Sequence, residues 1–141
     1  MPKTRQEKQV EVEKLKKNFD QAKALVFINF DKLKGELEFS GNSLPKDANK
    51  FYEPIIDWID NYLASPRDET VIRFMMSYYN TPSYKIFFQV LKKFEQFHND
   101  GGSKVRVVWG YPSDDPDLRG AGIDYADIMK LPFEFVEFEE M

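Results

Sequence analysis

Between Thr70 and Phe97 the chain changes its hydrophobic period, and that change restricts the fold more than any other stretch. Thr70-Val71-Ile72-Arg73-Phe74-Met75-Met76-Ser77-Tyr78 reads as a strand. After Tyr79-Asn80-Thr81-Pro82-Ser83-Tyr84-Lys85, the residues Ile86, Phe87, Val90, Leu91, Phe94 and Phe97 recur at helical spacing as one apolar stripe. A strand that hands over directly to an amphipathic helix belongs to a sheet with helices packed on it.

The same alternation extends in both directions. Leu25 to Asp31 is apolar, Lys32-Leu33-Lys34-Gly35 is a turn, and Glu36 to Ser40 alternates with Leu37 and Phe39 on one side, the pattern of an antiparallel hairpin. Gly41-Asn42-Ser43-Leu44-Pro45 is expected to break the second strand. A helix follows, with Asp47 as N-cap and Phe51, Ile55, Trp58, Ile59, Tyr62 and Leu63 on its apolar face. Pro54 either marks the first turn of that helix or kinks it. Gly101-Gly102 stops the next helix. Lys104 to Tyr111 is a strand, and Leu118 to Lys130 is a poorer helix that Gly120 and Gly122 weaken as filler. Leu131 to Phe138 closes the chain as a strand whose Phe133 and Phe135 are expected in the core, with Phe138 left open.

Residues 1–24 have another character. They are polar and helix-prone, with Val12, Leu15, Phe19 and Ala22 on a thin stripe. Seven Lys/Arg against four Asp/Glu give this segment +3, which leaves −7 for the rest of a chain whose net charge is −4. We therefore expect a charged helical extension over 1–24 and an α/β domain over 25–141. The element order is (α)ββαβαβαβ, with a mixed four- to five-stranded sheet.

Composition narrows the chemistry. The absence of cysteine excludes disulfides, thiolate catalysis and cysteine-held metals, and a single histidine, His98, is too little for a triad or a two-histidine metal site. With 42% apolar residues and 13 Phe the chain can fill a core. No apolar run approaches the ~20 residues that span a bilayer, and the charged N-terminus is unlike a secretory signal, so a cytoplasmic location is expected. The acidic balance argues against a dedicated nucleic-acid binder. Glu53 and Asp57, four apart on one helix face, solvate it rather than form an enzyme's carboxylate pair. Asp114-Asp115-Pro116-Asp117 lacks calcium-loop spacing and reads as capping and solubility, with a partner-recognition surface as the other reading. His98 suits the C-terminal end of a helix dipole, and Trp109 and Tyr111 pack from a strand. Neither cofactor nor metal is expected.

What remains is the corner at Thr81. Thr81 is placed as N-cap and Pro82 as the first helical residue. The hydroxyls of Thr81 and Ser83 then lie beside unpaired N–H groups at the positive end of the helix dipole, where a phosphate is tolerated. Capping alone accounts for these residues; a phosphorylation switch is the other reading.

Several pieces in collinear order resemble the SiaC-like regulatory phosphoproteins, small bacterial proteins related in architecture to STAS domains. They are Phe30-Asp31 with Gly35-Glu36-Leu37-Glu38-Phe39-Ser40-Gly41-Asn42-Ser43, then Phe51-Tyr52-Glu53-Pro54-Ile55 with Trp58 and Tyr62-Leu63. They continue with Tyr79-Asn80-Thr81, Ser83 and Lys85, which are similar to the family's Asn-Thr-Ser-Ser-x-Lys signature, and with Gly101-Gly102, Trp109-x-Tyr111 and Leu131-Pro132-Phe133. The resemblance implies a STAS-like domain without enzymatic activity and a phosphoacceptor at Thr81. Pro82 departs from the signature and leaves Ser83 as the alternative acceptor. It also implies a cycle: a Ser/Thr kinase modifies the threonine, a PP2C-type phosphatase restores it, and the unmodified form binds a target. The target class is a diguanylate cyclase, which ties the protein to cyclic-di-GMP and biofilm control. The expected partner surface is Asn80, Thr81, Ser83, Tyr84 and Lys85.

Met1-Pro2-Lys3-Thr4-Arg5, Glu13-Lys14-Leu15 and Ala22-Lys23-Ala24-Leu25-Val26-Phe27 resemble instead the start of the bacterial ribosomal stalk-base protein. An RNA- or ribosome-associated module using the basic helix is the alternative function.

Overall fold

The computed structural model describes residues 26–139. The helical extension expected over 1–24, and with it most of the ribosomal resemblance, lies outside the described residues. The elements are β1 (Val26–Asp31), β2 (Glu36–Ser43), α1 (Ala48–Ala64), β3 (Glu69–Tyr79), α2 (Thr81–Asn99), β4 (Lys104–Pro112), α3 (Pro116–Ile128) and β5 (Phe133–Phe138). One five-stranded sheet runs in the order β1-β2-β3-β4-β5, with β1 antiparallel to β2 and every later pair parallel. This is the mixed α/β architecture the alternation implies.

Each crossover after β2 carries one helix and advances one strand in the same direction. Right-handed crossovers of that kind place all their helices on one face, and the side chains agree. Phe39, Phe74 and Trp109 stand in one register row, buried with Tyr52 of α1, Phe87 of α2 and Tyr125 of α3. Ile28, Phe30, Leu37, Ile72, Met76, Val105 and Val107 complete the same side of the sheet. Phe30 stacks on Trp58 at 4.2 Å between ring centres.

Several boundaries differ from the sequence expectation. Gly41 does not end β2: it takes φ 92 where the register slips between Gly41 and Asn42, with Ser77 as the extra residue on β3, and the strand continues to Ser43. Pro54 lies inside α1 rather than in its first turn and faces solvent, where water can satisfy the carbonyl it leaves unpaired. Asp47 caps α1 through Lys50 N at 3.1 Å, as expected. Phe135 is 37% exposed, because β5 is an edge strand beyond the reach of α1 and α2. Gly122 is not filler: a Cβ there would collide with the Trp109 indole, so the glycine is what lets α3 approach β4. Gly120 has open space around it and keeps the filler reading. His98 does more than face the helix dipole; its Nδ1 accepts from Val105 N at 3.0 Å and ties α2 to β4.

Candidate functional site

The corner between β3 and α2 is built by Asn80, not by Thr81. Asn80 is extended, and its Oδ1 accepts from Ser83 N at 3.0 Å, the geometry of an N-cap; Thr81 is the first helical residue. The asparagine is held from every side. Its N–H donates to Ser43 O at 3.0 Å, its Nδ2 to Pro45 O at 3.2 Å, and its carbonyl accepts from Tyr84 N at 3.0 Å.

Ser83 lies in the interior, fully buried, and so is not the surface residue the sequence reading expected. Its hydroxyl is 2.7 Å from Asn80 Oδ1 and 2.7 Å from Ser43 Oγ, which in turn is 2.6 Å from the Tyr52 hydroxyl. The amide oxygen can only accept, and this orders the protons: Tyr52 donates to Ser43, Ser43 to Ser83, and Ser83 to Asn80. Burial raises the Tyr52 pKa far above the ordinary tyrosine value, so the phenol keeps the proton that heads this chain.

Thr81, by contrast, is exposed, as are Pro82 and Lys85. Thr81 opens onto a cleft of about 450 Å³ lined by Tyr78, Tyr79, Asn80, Tyr84, Asp115, Asp117, Leu118 and Ala121. One wall is a tyrosine stack. Tyr84 lies 4.6 Å from Tyr125 and 6.3 Å from Tyr79, both near-parallel, and the Tyr125 hydroxyl donates to Tyr84 O at 2.8 Å. Burial pushes the phenols of Tyr79 and Tyr125 well above their ordinary value, and the charge interaction with Tyr84 pushes both further. They remain neutral. Tyr78, at 54% exposure, projects at the rim. The opposite wall is the start of α3, where Asp115 caps Leu118 N at 3.0 Å.

Of the five residues expected at the partner surface, the structure thus gathers Asn80, Thr81 and Tyr84 at one cleft. It leaves Lys85 exposed on α2, one turn from Thr81, and removes Ser83 to the interior. Tyr78, Tyr79, Asp115, Asp117, Leu118 and Ala121 line the same cleft from outside the expected five, Asp115 and Asp117 from the acidic loop whose second reading is a partner surface. The missing signal is topological: β3 and β4 are parallel neighbours, and crevices in such sheets form outside the carboxyl ends of adjacent strands. The loop after β4 therefore faces the loop after β3, although their residues are more than thirty apart in the chain. Among the described residues no three His, Asp or Glu side chains gather as a metal-holding group.

Comparison with known proteins fits this architecture. The profile of the SiaC family regulatory phosphoproteins matches residues 19–138. This chain belongs to the SiaC family. A SiaC-related chain in the crystal structure of the diguanylate cyclase SiaD in complex with its activator SiaC, from Pseudomonas aeruginosa, superposes with a TM-score of 0.75 at 23% identity, covering 82% of this chain and 93% of that one. SiaC of Pseudomonas aeruginosa solved separately gives 0.72 at 24% identity, covering 80% and 90%. An uncharacterised protein of Pseudomonas aeruginosa strain UCBPP-PA14 is 25% identical over 106 residues, 75% of this chain and 83% of its own length. The SiaC family is thus shown, and with it a family of regulatory phosphoproteins; no helix among the described residues is long and apolar enough to cross a membrane.

Proposed function

We propose that this SiaC-family protein is a switch set by reversible phosphorylation of Thr81, and that its unmodified form docks a protein partner over the cleft beside that residue. The observation that carries the reading is the division of the two hydroxyls: Thr81 is exposed at the cleft, while Ser83 is locked in a buried hydrogen-bond chain. A Ser/Thr kinase can reach the first without disturbing the fold. A PP2C-type phosphatase would reset it. The likeness to SiaC, an activator of the diguanylate cyclase SiaD, supports a diguanylate cyclase as the partner class and cyclic-di-GMP output as what is controlled.

The energetics favour a block at the interface over a change of fold. Phosphothreonine adds about −1.5 to −2 charges. A helix N-terminus offers it ~0.3–1 kcal/mol at most. Here it offers less, because Pro82 has no N–H and Asn80 already takes that of Ser83. Asp115 and Asp117 across the cleft repel it further. At a dried partner surface an unmatched dianion costs several kcal/mol, and about 4 kcal/mol weakens binding roughly a thousandfold.

The test is binding to the diguanylate cyclases of the native host. Thr81→Glu should keep the circular dichroism and melting temperature of the parent and lose the cyclase. Tyr78→Ala, which removes the exposed rim ring, should weaken binding about tenfold, the scale of one aromatic anchor. Binding of Thr81→Glu at parental strength would remove Thr81 from the role.

A further inference from the structure

The helices among the described residues all lie on one face of the sheet, and the other face carries an apolar band that Ser40 of β2 interrupts. Phe27, Ser40, Met75, Gly110 and Val136 stand in one register row over all five strands, on the side away from the helices. Phe27 is 43% exposed, and Met75, Val136 and the neighbouring Phe138 are half-buried. Met75 and Phe138 close over Gly110, where a Cβ would strike the Met75 sulfur. The band is therefore continuous from β3 to β5. The next row along the strands holds Asn29, Glu38, Arg73, the buried Val108 and Glu134, and the Asp31–Glu36 end of the hairpin adds two further carboxylates; Arg73 pairs with Glu36 at 3.6 Å and Arg106 with Glu134 at 3.1 Å.

The chain itself supplies a matching cover. Residues 1–24 join the sheet at Val26, beside Phe27, which is the outer end of the band. Their apolar stripe of Val12, Leu15, Phe19 and Ala22 measures ~15 Å as a helix. The band across five strands measures ~19 Å. The segment is basic at +3, whereas the remaining chain is −7. The family profile starts only at residue 19, so most of the segment is an addition to the shared domain.

We propose that this amphipathic segment folds back from β1 and lies across the open face of its own sheet, with its stripe on Phe27, Met75, Val136 and Phe138. Its lysines and arginine then flank the Glu38 row. The fold becomes a sheet covered on both sides, and the face is closed to strangers.

The absence of native cysteine makes a direct test simple. Lys17 lies opposite the stripe at helical spacing, so Lys17→Cys carries a nitroxide label without touching the contact. In the full-length chain the label should erase the methyl signals of Met75, Val108 and Val136 and spare those of Ile55, Ile59 and Val90 under the helices. Adding Phe19→Asp should restore the erased signals. A companion sample mixes spin-labelled protein with isotope-labelled, unmodified protein. Signal loss in that mixture at the open face would assign it to a second copy and overturn the proposal. Loss on the helix side, or no loss anywhere, would overturn it equally.

Discussion

Asn80 and Pro82 together decide what a phosphate at Thr81 would feel. One takes the Ser83 N–H, the other has none to give, and the helix start is left with little to offer an anion. The modification therefore speaks outward, to a partner, and not inward to the fold. Ser83 has the opposite assignment. Removing its hydroxyl leaves the buried Ser43 proton without its acceptor, so Ser83→Ala should cost about 1–3 kcal/mol in chemical denaturation, while Thr81→Ala should leave stability near that of the parent. Two glycines two residues apart in α3, Gly120 and Gly122, make a similar pair. Gly122→Ala drives a methyl into Trp109 and should lose about 1–3 kcal/mol, whereas Gly120→Ala fills open space and should gain about 0.5–1 kcal/mol from helix propensity. Equal effects in thermal melts would contradict the packing described. None of these distinctions was legible in the sequence. Thr81 and Asn80 are both good caps, and Gly120 and Gly122 look alike until a strand supplies the indole that one of them must accommodate.

At the scale of elements, the handover from β3 to α2 was readable because the hydrophobic period changes there. Strand ends were less so: Gly41 looks like a stop in one dimension, and only the parallel partner β3, which takes up the register slip with Ser77, shows that the strand runs on. Helix α2 also anchors the far end of α3, since Glu95 accepts from Lys130 N at 2.5 Å and pairs with Lys92 at 3.1 Å. The backbone hydrogen bond from Lys130, followed by Lys92, holds the Glu95 carboxyl below its usual value of 4.5. A folded pKa that is depressed contributes stability that is present above the unfolded value and lost as pH falls through the folded one. The parent should thus lose melting temperature on acidification below about pH 4.5 faster than Glu95→Gln, with the two curves separated at neutral pH and converging in acid. Parallel curves from pH 7 to pH 3 would remove Glu95 from this role.

For the whole molecule, three crossovers of one hand put every helix among the described residues on one side of the sheet. They also bring the loops after β3 and β4 together, where the cleft forms. The element order made the first consequence accessible from sequence. The second needed the strand order, which is why Asp115 and Asp117 read chiefly as capping residues until the tyrosine wall stood opposite them. The account as a whole turns on one covalent event, and peptide-level mass spectrometry of the protein from its native host reads it directly. Trypsin releases Phe74 to Lys85 as one peptide that holds Thr81, Ser77, Ser83 and three tyrosines, so the site must be read by fragmentation. Cleavage at the Thr81–Pro82 bond separates the two candidate acceptors. The account predicts phosphate on the Thr81 side, in a fraction of molecules that rises with the kinase and falls with the phosphatase. Phosphate on Ser83, or an unmodified peptide under every growth condition, would contradict it.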